Sequence, residues 1–197
     1  MGKGFVIFSI IFMCVGWAVL FLLAFETGIS FFSKTAPSLP SQRKMRKAVA
    51  NEITKHYGNA KTVLDIGSGW GGMARGIARI LPGARVIGIE KFLLPFSYSF
   101  IIWILFGPRN ARFFMGDAFK FINREKGKGN GNYDFDIGIA YLLTPMMPKV
   151  EKVMDKFKVL ITLDFPLPNA SATRTIKLHK DHLGQHYLYV YENADIC

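Results

Sequence analysis

The run Val63-Leu64-Asp65-Ile66-Gly67-Ser68-Gly69-Trp70-Gly71-Gly72 constrains this chain more than any other segment. Thr62 to Ile66 has the apolar, β-branched character of a buried strand, and it ends in a glycine loop. From Gly72 to Leu81 the apolar spacing turns helical, and Pro82-Gly83 stops it. The same alternation then repeats. Arg85 to Ile89 reads as a second strand with Glu90 at its carboxyl end, Ala111 to Met115 as a third, and Phe135 to Tyr141 as a fourth. A helix from Met147 to Lys156 leads to a fifth strand, Val159 to Leu163. Two strand-like runs close the chain, Thr173 to Leu178 and His186 to Glu192, around a hairpin loop at Lys180 to Gly184. Gly127 to Asn132 reads as a flexible turn before strand four. Alternation of this kind implies a parallel sheet with helices on both faces, an α/β fold of the Rossmann type.

The amino-terminal part obeys different rules. Phe5 to Phe25 is an uncharged apolar run of 21 residues. As a helix rising about 1.5 Å per residue it spans roughly 30 Å, the thickness of a bilayer core. Phe25-Glu26-Thr27-Gly28 is a poor cleavage site, so the run is expected to be a retained membrane anchor, residues 1–32, and not a signal peptide. Lys3 precedes it, whereas Lys34, Arg43, Lys44, Arg46 and Lys47 follow it, which places the second flank in the cytoplasm (or the matrix of a mitochondrion). Residues 33–60 form a linker and a helix. The linker holds Pro37 and Pro40, and Ser41 is expected to cap a helix from Gln42 to Tyr57 with Met45, Val49 and Ile53 on its apolar stripe. The basic cluster Ser41 to Lys47 also suits anionic headgroups. The net charge of +11 therefore needs no nucleic acid to explain it, and no RNA-binding sheet motif is present.

Chemistry is expected at the strand ends. Gly67-x-Gly69-x-x-Gly72 alone fits a dinucleotide fingerprint, but the strand before such a loop normally stays apolar up to its first glycine. Here Asp65 lies two residues before Gly67, where a carboxylate can meet a cationic amino group. No lysine-serine or lysine-threonine pair follows, so the loop is not that of a nucleoside triphosphatase. Glu90 stands where an acidic residue accepts from ribose hydroxyls, and Asp117 in Gly116-Asp117-Ala118 can accept from an adenine amino group. Three acidic residues at the ends of successive strands line one crevice.

The ordered set Leu64 to Gly72, Val86 to Glu90, Gly116 to Phe119 and Tyr133 to Leu143 resembles the seven-stranded S-adenosylmethionine-dependent methyltransferases. The resemblance covers residues 61–197 and implies that Asp65, Gly67 and Gly69 contact the methionine end of S-adenosyl-L-methionine, with Ser68 and Gly71 of the same loop also binding the cofactor, that Glu90 holds its ribose, and that Asp117 and Ala118 read its adenine. A narrower likeness rests on Ala140 to Phe157, Val159 to Asn169 and Tyr187 to Asn193, with Pro37 to Ser41 ahead of the domain. These look like a family of protein lysine methyltransferases that includes the enzymes acting on ATP synthase subunit c and on the adenine nucleotide translocase. That likeness implies a lysine acceptor in a protein, itself a membrane protein. Trp70-Gly71-Gly72 instead looks like the loop of cyclopropane fatty acid synthases and related lipid methyltransferases, which keeps a lipid or small-molecule acceptor open as the alternative. A non-catalytic cofactor-binding membrane module is the third reading.

On the acceptor side, Tyr141 at the end of strand four is expected to present an aromatic face to the cation, and Asp164 after strand five to orient the amine. Phe92 to Phe106 is too apolar for an ordinary surface helix and too short to span a bilayer. It is either buried on the sheet or seated in a membrane interface. His179, His182 and His186 bracket the hairpin, and a strand-turn-strand is not expected to bring them together, so no metal site is expected. Cys14 and Cys197 read as incidental.

Overall fold

The computed structural model describes residues 3–32, 41–124, 135–182 and 184–193. It divides into two compact units, Met1–Pro37 and Ser38–Cys197. Among its described residues the first holds one helix, α1 (Lys3–Phe32), of 30 residues. Among the described residues no helix is long and apolar enough to cross a membrane, so the expected transmembrane span is not borne out there.

The second unit opens with α2 (Arg43–His56). Gln42 and not Ser41 occupies its cap position, in extended conformation and without a side-chain cap bond. The remaining elements are β1 (Thr62–Ile66), α3 (Gly72–Ile80), β2 (Arg85–Glu90), α4 (Leu93–Phe106), β3 (Ala111–Met115), α5 (Ala118–Arg124), β4 (Phe135–Ala140), α6 (Met147–Glu151), β5 (Phe157–Leu163), β6 (Arg174–Asp181) and β7 (Gly184–Glu192). All seven strands form one sheet in the order β3-β2-β1-β4-β5-β7-β6. The first five strands pair in parallel, and β7 pairs antiparallel to both β5 and β6. The expected helix from Met147 to Lys156 breaks into α6 and a 3₁₀ turn, Met154–Lys156. The turn expected at Gly127 to Asn132 lies outside the described residues.

The central strands are buried on both faces, as a parallel sheet requires. Met45, Val49 and Ile53 of α2 join Met73, Ala74 and Ile77 of α3 against one face. Ile122, Met147 and Val150 cover the other, against Leu64, Ile66 and Leu160. Close packing sets some residues directly: a Cβ at Gly138 would stand 2.7 Å from the ring of Phe157. The Asn110 amide ties the end of α3 to β3 by donating to the carbonyls of Ala78, Leu81 and Ala84. Asp136 of β4 accepts from the backbone N–H groups of Lys61 and Thr62 and pairs with Lys158, which locks the start of β1 between its neighbours.

Helix α4 is not the buried helix that its composition allowed. Only Pro95 and Ser99 are buried, Phe96, Phe100 and Trp103 lean on the core, and Ile101, Ile104, Leu105 and Phe106 are exposed, Phe106 at 72%.

Candidate functional site

Strand register brings the candidate residues to one edge. Ile66 lies beside Ile89 and Ala140, Ala140 beside Thr162, and Glu90 beside Met115. The residues that follow, Gly67, Tyr141, Asp164 and Asp117, therefore leave the same carboxyl edge of the sheet, where open α/β folds bind ligands. Gly67, Gly69 and Gly71 all have positive φ, 71°, 52° and 72°, which only glycine adopts readily. A Cβ at Gly67 would also lie 2.7 Å from Leu142 Cδ2. The loop after β1 thus touches the segment that leaves β4.

The acidic trio is held from within. Glu90 is buried and accepts from Gly69 N at 2.7 Å and Phe92 N at 2.8 Å, so one carboxylate fixes the glycine loop and the entry to α4. Asp65 is buried and accepts from Ala74 N at 3.2 Å in the first turn of α3. Burial, partly offset by that bond and reinforced by the Glu90 charge, pushes its pKa up to about 7. Asp117 Oδ1 accepts from Phe119 N and Lys120 N and so starts α5, with Ala118 buried behind it. The Ser68 hydroxyl is buried without a hydrogen-bond partner inside the protein. Two buried carboxylates, an unpartnered hydroxyl and a cradle without Cβ atoms suit a ligand that carries a cationic amine and hydroxyl donors.

Beside the glycine loop, the Tyr141 hydroxyl and the Asp164 carboxylate lie close enough to interact. Burial first, and then the neighbouring Asp164 carboxylate, push the Tyr141 hydroxyl up to about 12, so it remains a donor at neutral pH. Asp164 sits at φ 64°, an uncommon conformation for a non-glycine residue. It also accepts from His186 Nδ1 at 2.9 Å and from Tyr187 N at 3.2 Å. Sequence reasoning singled out Tyr141 and Asp164 and read His186 only as one of the hairpin histidines, not as a neighbour of Asp164. Burial opposes the charged form of His186, yet the Asp164 and Asp181 carboxylates outweigh it and raise its pKa.

The histidines correct the expectation that the hairpin keeps them apart. Register shifts between Lys177, paired with Tyr187, and Lys180, paired with Gln185. That bulge sets two residues against one and turns His179 onto the face of His186, with ring centroids 4.8 Å apart. His182 does not join them: the cluster is His179, Asp181 and His186. Gln42, ahead of α2, meets His179 Nε2 with its Oε1 at 2.7 Å and donates from Nε2 to Asp181.

A separate basic groove of about 330 Å³ is lined by Arg43, Arg46 and Lys47 of α2 and by Arg75 and Arg79 of α3. Arg75 Nη1 is buried without a hydrogen-bond partner. Burial, with Arg79 and Arg46 nearby, lowers its pKa.

No family model matches the chain, and no curated protein matches it. Solved structures do match. The chain is similar to an RNA methyltransferase from Salinibacter ruber in complex with S-adenosyl-L-homocysteine, at 18% identity over 81% of this chain and 96% of that one, TM-score 0.61. It is similar to an O-methyltransferase from Bacillus cereus in complex with SAH, at 14% identity over 87% and 90% of the two chains, TM-score 0.63. It is also similar to precorrin-6y C5,15-methyltransferase from Geobacter metallireducens, at 13% identity over 81% and 94%, TM-score 0.59. The seven-stranded methyltransferase fold expected from the sequence is the fold of this chain.

Proposed function

We propose that this chain is an S-adenosylmethionine-dependent methyltransferase whose acceptor is a lysine side chain of a membrane protein. The observation that carries the reading is the Tyr141–Asp164 pair one strand away from the glycine loop, with Leu142 against Gly67. Cofactor and acceptor groups thereby share one edge of the sheet.

Asp65 would receive the cofactor's ammonium, Ser68 and the N–H groups of the loop its carboxylate, Glu90 its ribose hydroxyls, and Asp117 with Ala118 its adenine. The buried, unpartnered Ser68 hydroxyl and the cradle at Gly67 support that fit. When bound, the cofactor supplies a methyl group already activated by its sulfonium. The protein must align the acceptor, exclude water and manage one proton. Asp164 attracts the lysine ammonium, orients it and accepts its proton. Tyr141, beside Asp164, lends its ring face to the cation. Leu142 and Leu143 keep the approach apolar, which lowers the pKa of the incoming amine.

Membrane attachment belongs to the same proposal. It is supported by the apolar composition of α1, by the exposed apolar residues of α4 and by the cationic groove of α2 and α3. Such a combination suits anionic headgroups above an apolar interface. The site then faces the cytoplasm or matrix, and confinement to one bilayer raises the effective concentration of the acceptor.

The T-shaped contact of Trp70 with Tyr98, at 5.2 Å, favours a second reading. It joins the glycine loop to the apolar helix α4, along which a lipid acceptor could approach. Incubating the full chain with native membranes and labelled methyl donor separates the two. Label on lysine in a small membrane protein, found by peptide mass spectrometry, supports the first reading. Label confined to the lipid extract transfers support to the second, and label in RNA defeats both.

A further inference from the structure

We propose that the β6–β7 hairpin carries a site for one divalent transition-metal ion, with His179 Nε2, Asp181 Oδ2 and His186 Nε2 as ligands. The site shares Asp164 with the proposed methyl-transfer residues, but its three ligands are other side chains, so metal binding is tested independently of the proposed reaction.

The three ligand atoms all lie within 4.8 Å of one another. His186 Nε2 is 3.0 Å from Asp181 Oδ2, and His179 Nε2 is 3.9 Å from the same oxygen. Ligand atoms bound tetrahedrally at about 2.0–2.1 Å stand roughly 3.3–3.5 Å apart, so shifts of less than about an ångström close these atoms around one ion. His186 is only 4% exposed, and its Nε2 makes no hydrogen bond of acceptable geometry despite its closeness to Asp181. With a neutral ring whose Nδ1–H donates to Asp164, this nitrogen faces the Asp181 carboxylate with a lone pair, an arrangement that a cation completes.

The surroundings of that nitrogen also fit a ligand role. His186 Nδ1 lies 2.9 Å from both oxygens of Asp164. A metal-bound histidine characteristically donates its second ring N–H to a carboxylate, which fixes the tautomer and points the other nitrogen at the ion. Gln42 Oε1, 2.7 Å from His179 Nε2, brings a fourth donor within reach. Two imidazoles with one carboxylate select zinc, iron, cobalt, nickel or copper over magnesium or calcium. The bulge in β6 is what creates the set, because a regular ladder would turn His179 to the opposite face. Bound there, the ion would pin the start of α2 and the tip of the hairpin to the residue pair Asp164–His186.

The test uses the untagged full chain in detergent, with Cys14 and Cys197 replaced by Ser to remove competing thiols. After chelation and dialysis the protein is titrated with Co²⁺ and then with Zn²⁺. The expected result is one Co²⁺ per chain with visible d–d absorption, displacement by Zn²⁺, and a higher melting temperature with Zn²⁺. His179→Ala and Asp181→Asn should each weaken binding about 100-fold, Asp164→Asn about 10-fold, and His182→Ala not at all. Paramagnetic shifts of the His179 and His186 ring signals in the otherwise unaltered protein give a readout that does not depend on any variant folding. No d–d absorption together with a melting temperature indifferent to Zn²⁺ would overturn the proposal and leave the cluster as an ion-pair network. Equal Co²⁺ affinity in His179→Ala and Asp181→Asn, or paramagnetic shifts elsewhere, would overturn it by placing the ion at another site.

Discussion

If Asp65 receives the cofactor's ammonium as proposed, affinity for S-adenosylmethionine should depend on pH in a way that can be worked out beforehand. Its pKa in the ligand-free fold is about 7 instead of the ordinary 3.8 because it is buried beside Glu90. A bound ammonium needs the ionised carboxylate, so below pH 7 binding must first expel a proton. With a pKa of 7 for the free protein and an ionised Asp65 in the complex, the penalty factor is about 33 at pH 5.5 and about 1.3 at pH 7.5. Affinity for S-adenosylmethionine should therefore rise about 25-fold across that interval, close to 2 kcal/mol. The interval stops near pH 7.5 because an α-amino group itself deprotonates above that. Isothermal titration calorimetry in buffers of differing ionisation enthalpy measures both the affinity and the protons released. Near pH 6 close to one proton should leave per cofactor bound. Asp65→Asn should bind more weakly at pH 7.5, since a charge-assisted bond is worth about 1.5–3 kcal/mol, and should lose most of the pH slope. A flat profile with no proton release in the unaltered protein would refute the assignment of Asp65 to the ammonium. The sign for stability is opposite: between pH 4 and 7 the native state holds a proton that the unfolded chain has released, so the ligand-free fold should lose stability as pH rises through that window.

Gly67→Ala should lower the melting temperature and abolish cofactor binding, because it adds a Cβ 2.7 Å from Leu142 at a φ of 71°, a left-handed conformation costing an L-residue about 1–2 kcal/mol; thermal unfolding and calorimetry check the two effects. Tyr141→Phe removes the hydroxyl beside Asp164 and should slow methyl transfer about 10- to 100-fold with cofactor affinity unchanged, as a single-turnover assay would reveal. Reversing Arg43, Arg46 and Lys47 to Glu should abolish flotation of a protein lacking residues 1–32 with anionic vesicles and leave its solubility intact; each cation near such a surface contributes about 1 kcal/mol. Substituting Asp136→Asn should lower the melting temperature at neutral pH and matter progressively less as pH falls below the ordinary carboxylate range. Burial opposes its ionisation, but Lys158 and two backbone N–H groups outweigh that and depress its pKa, so its contribution exists above the ordinary carboxylate range and is lost as pH falls through the depressed value.

Much of the candidate site's edge was legible in the residue order, because local rules govern it. A strand that ends in Gly67-Ser68-Gly69 needs positive φ at fixed positions, and the alternation of strand and helix leaves few topologies other than a parallel sheet. Once strands β1, β2 and β3 lie in parallel, Asp65, Glu90 and Asp117 must emerge at the same end. Tyr141 and Asp164 followed from the same logic applied to β4 and β5. Other features depended on contacts between segments distant in sequence. Helix α4 has the composition of a core helix, yet its outer face is exposed, since which face of the sheet is already covered is decided by α2 and α3 and not by the helix itself. The joining of His179 to His186 hinges on a register shift in one strand pair, and a one-residue slip sends a side chain to the opposite face. No local pattern encodes that shift, for a bulge is set by how β6 must bend to pair with β7 while β7 pairs with β5. Residue order thus determined which chemical groups stand at the strand ends, and the long-range pairing of β5, β7 and β6, with Gln42 brought in from ahead of α2, decided which of them meet.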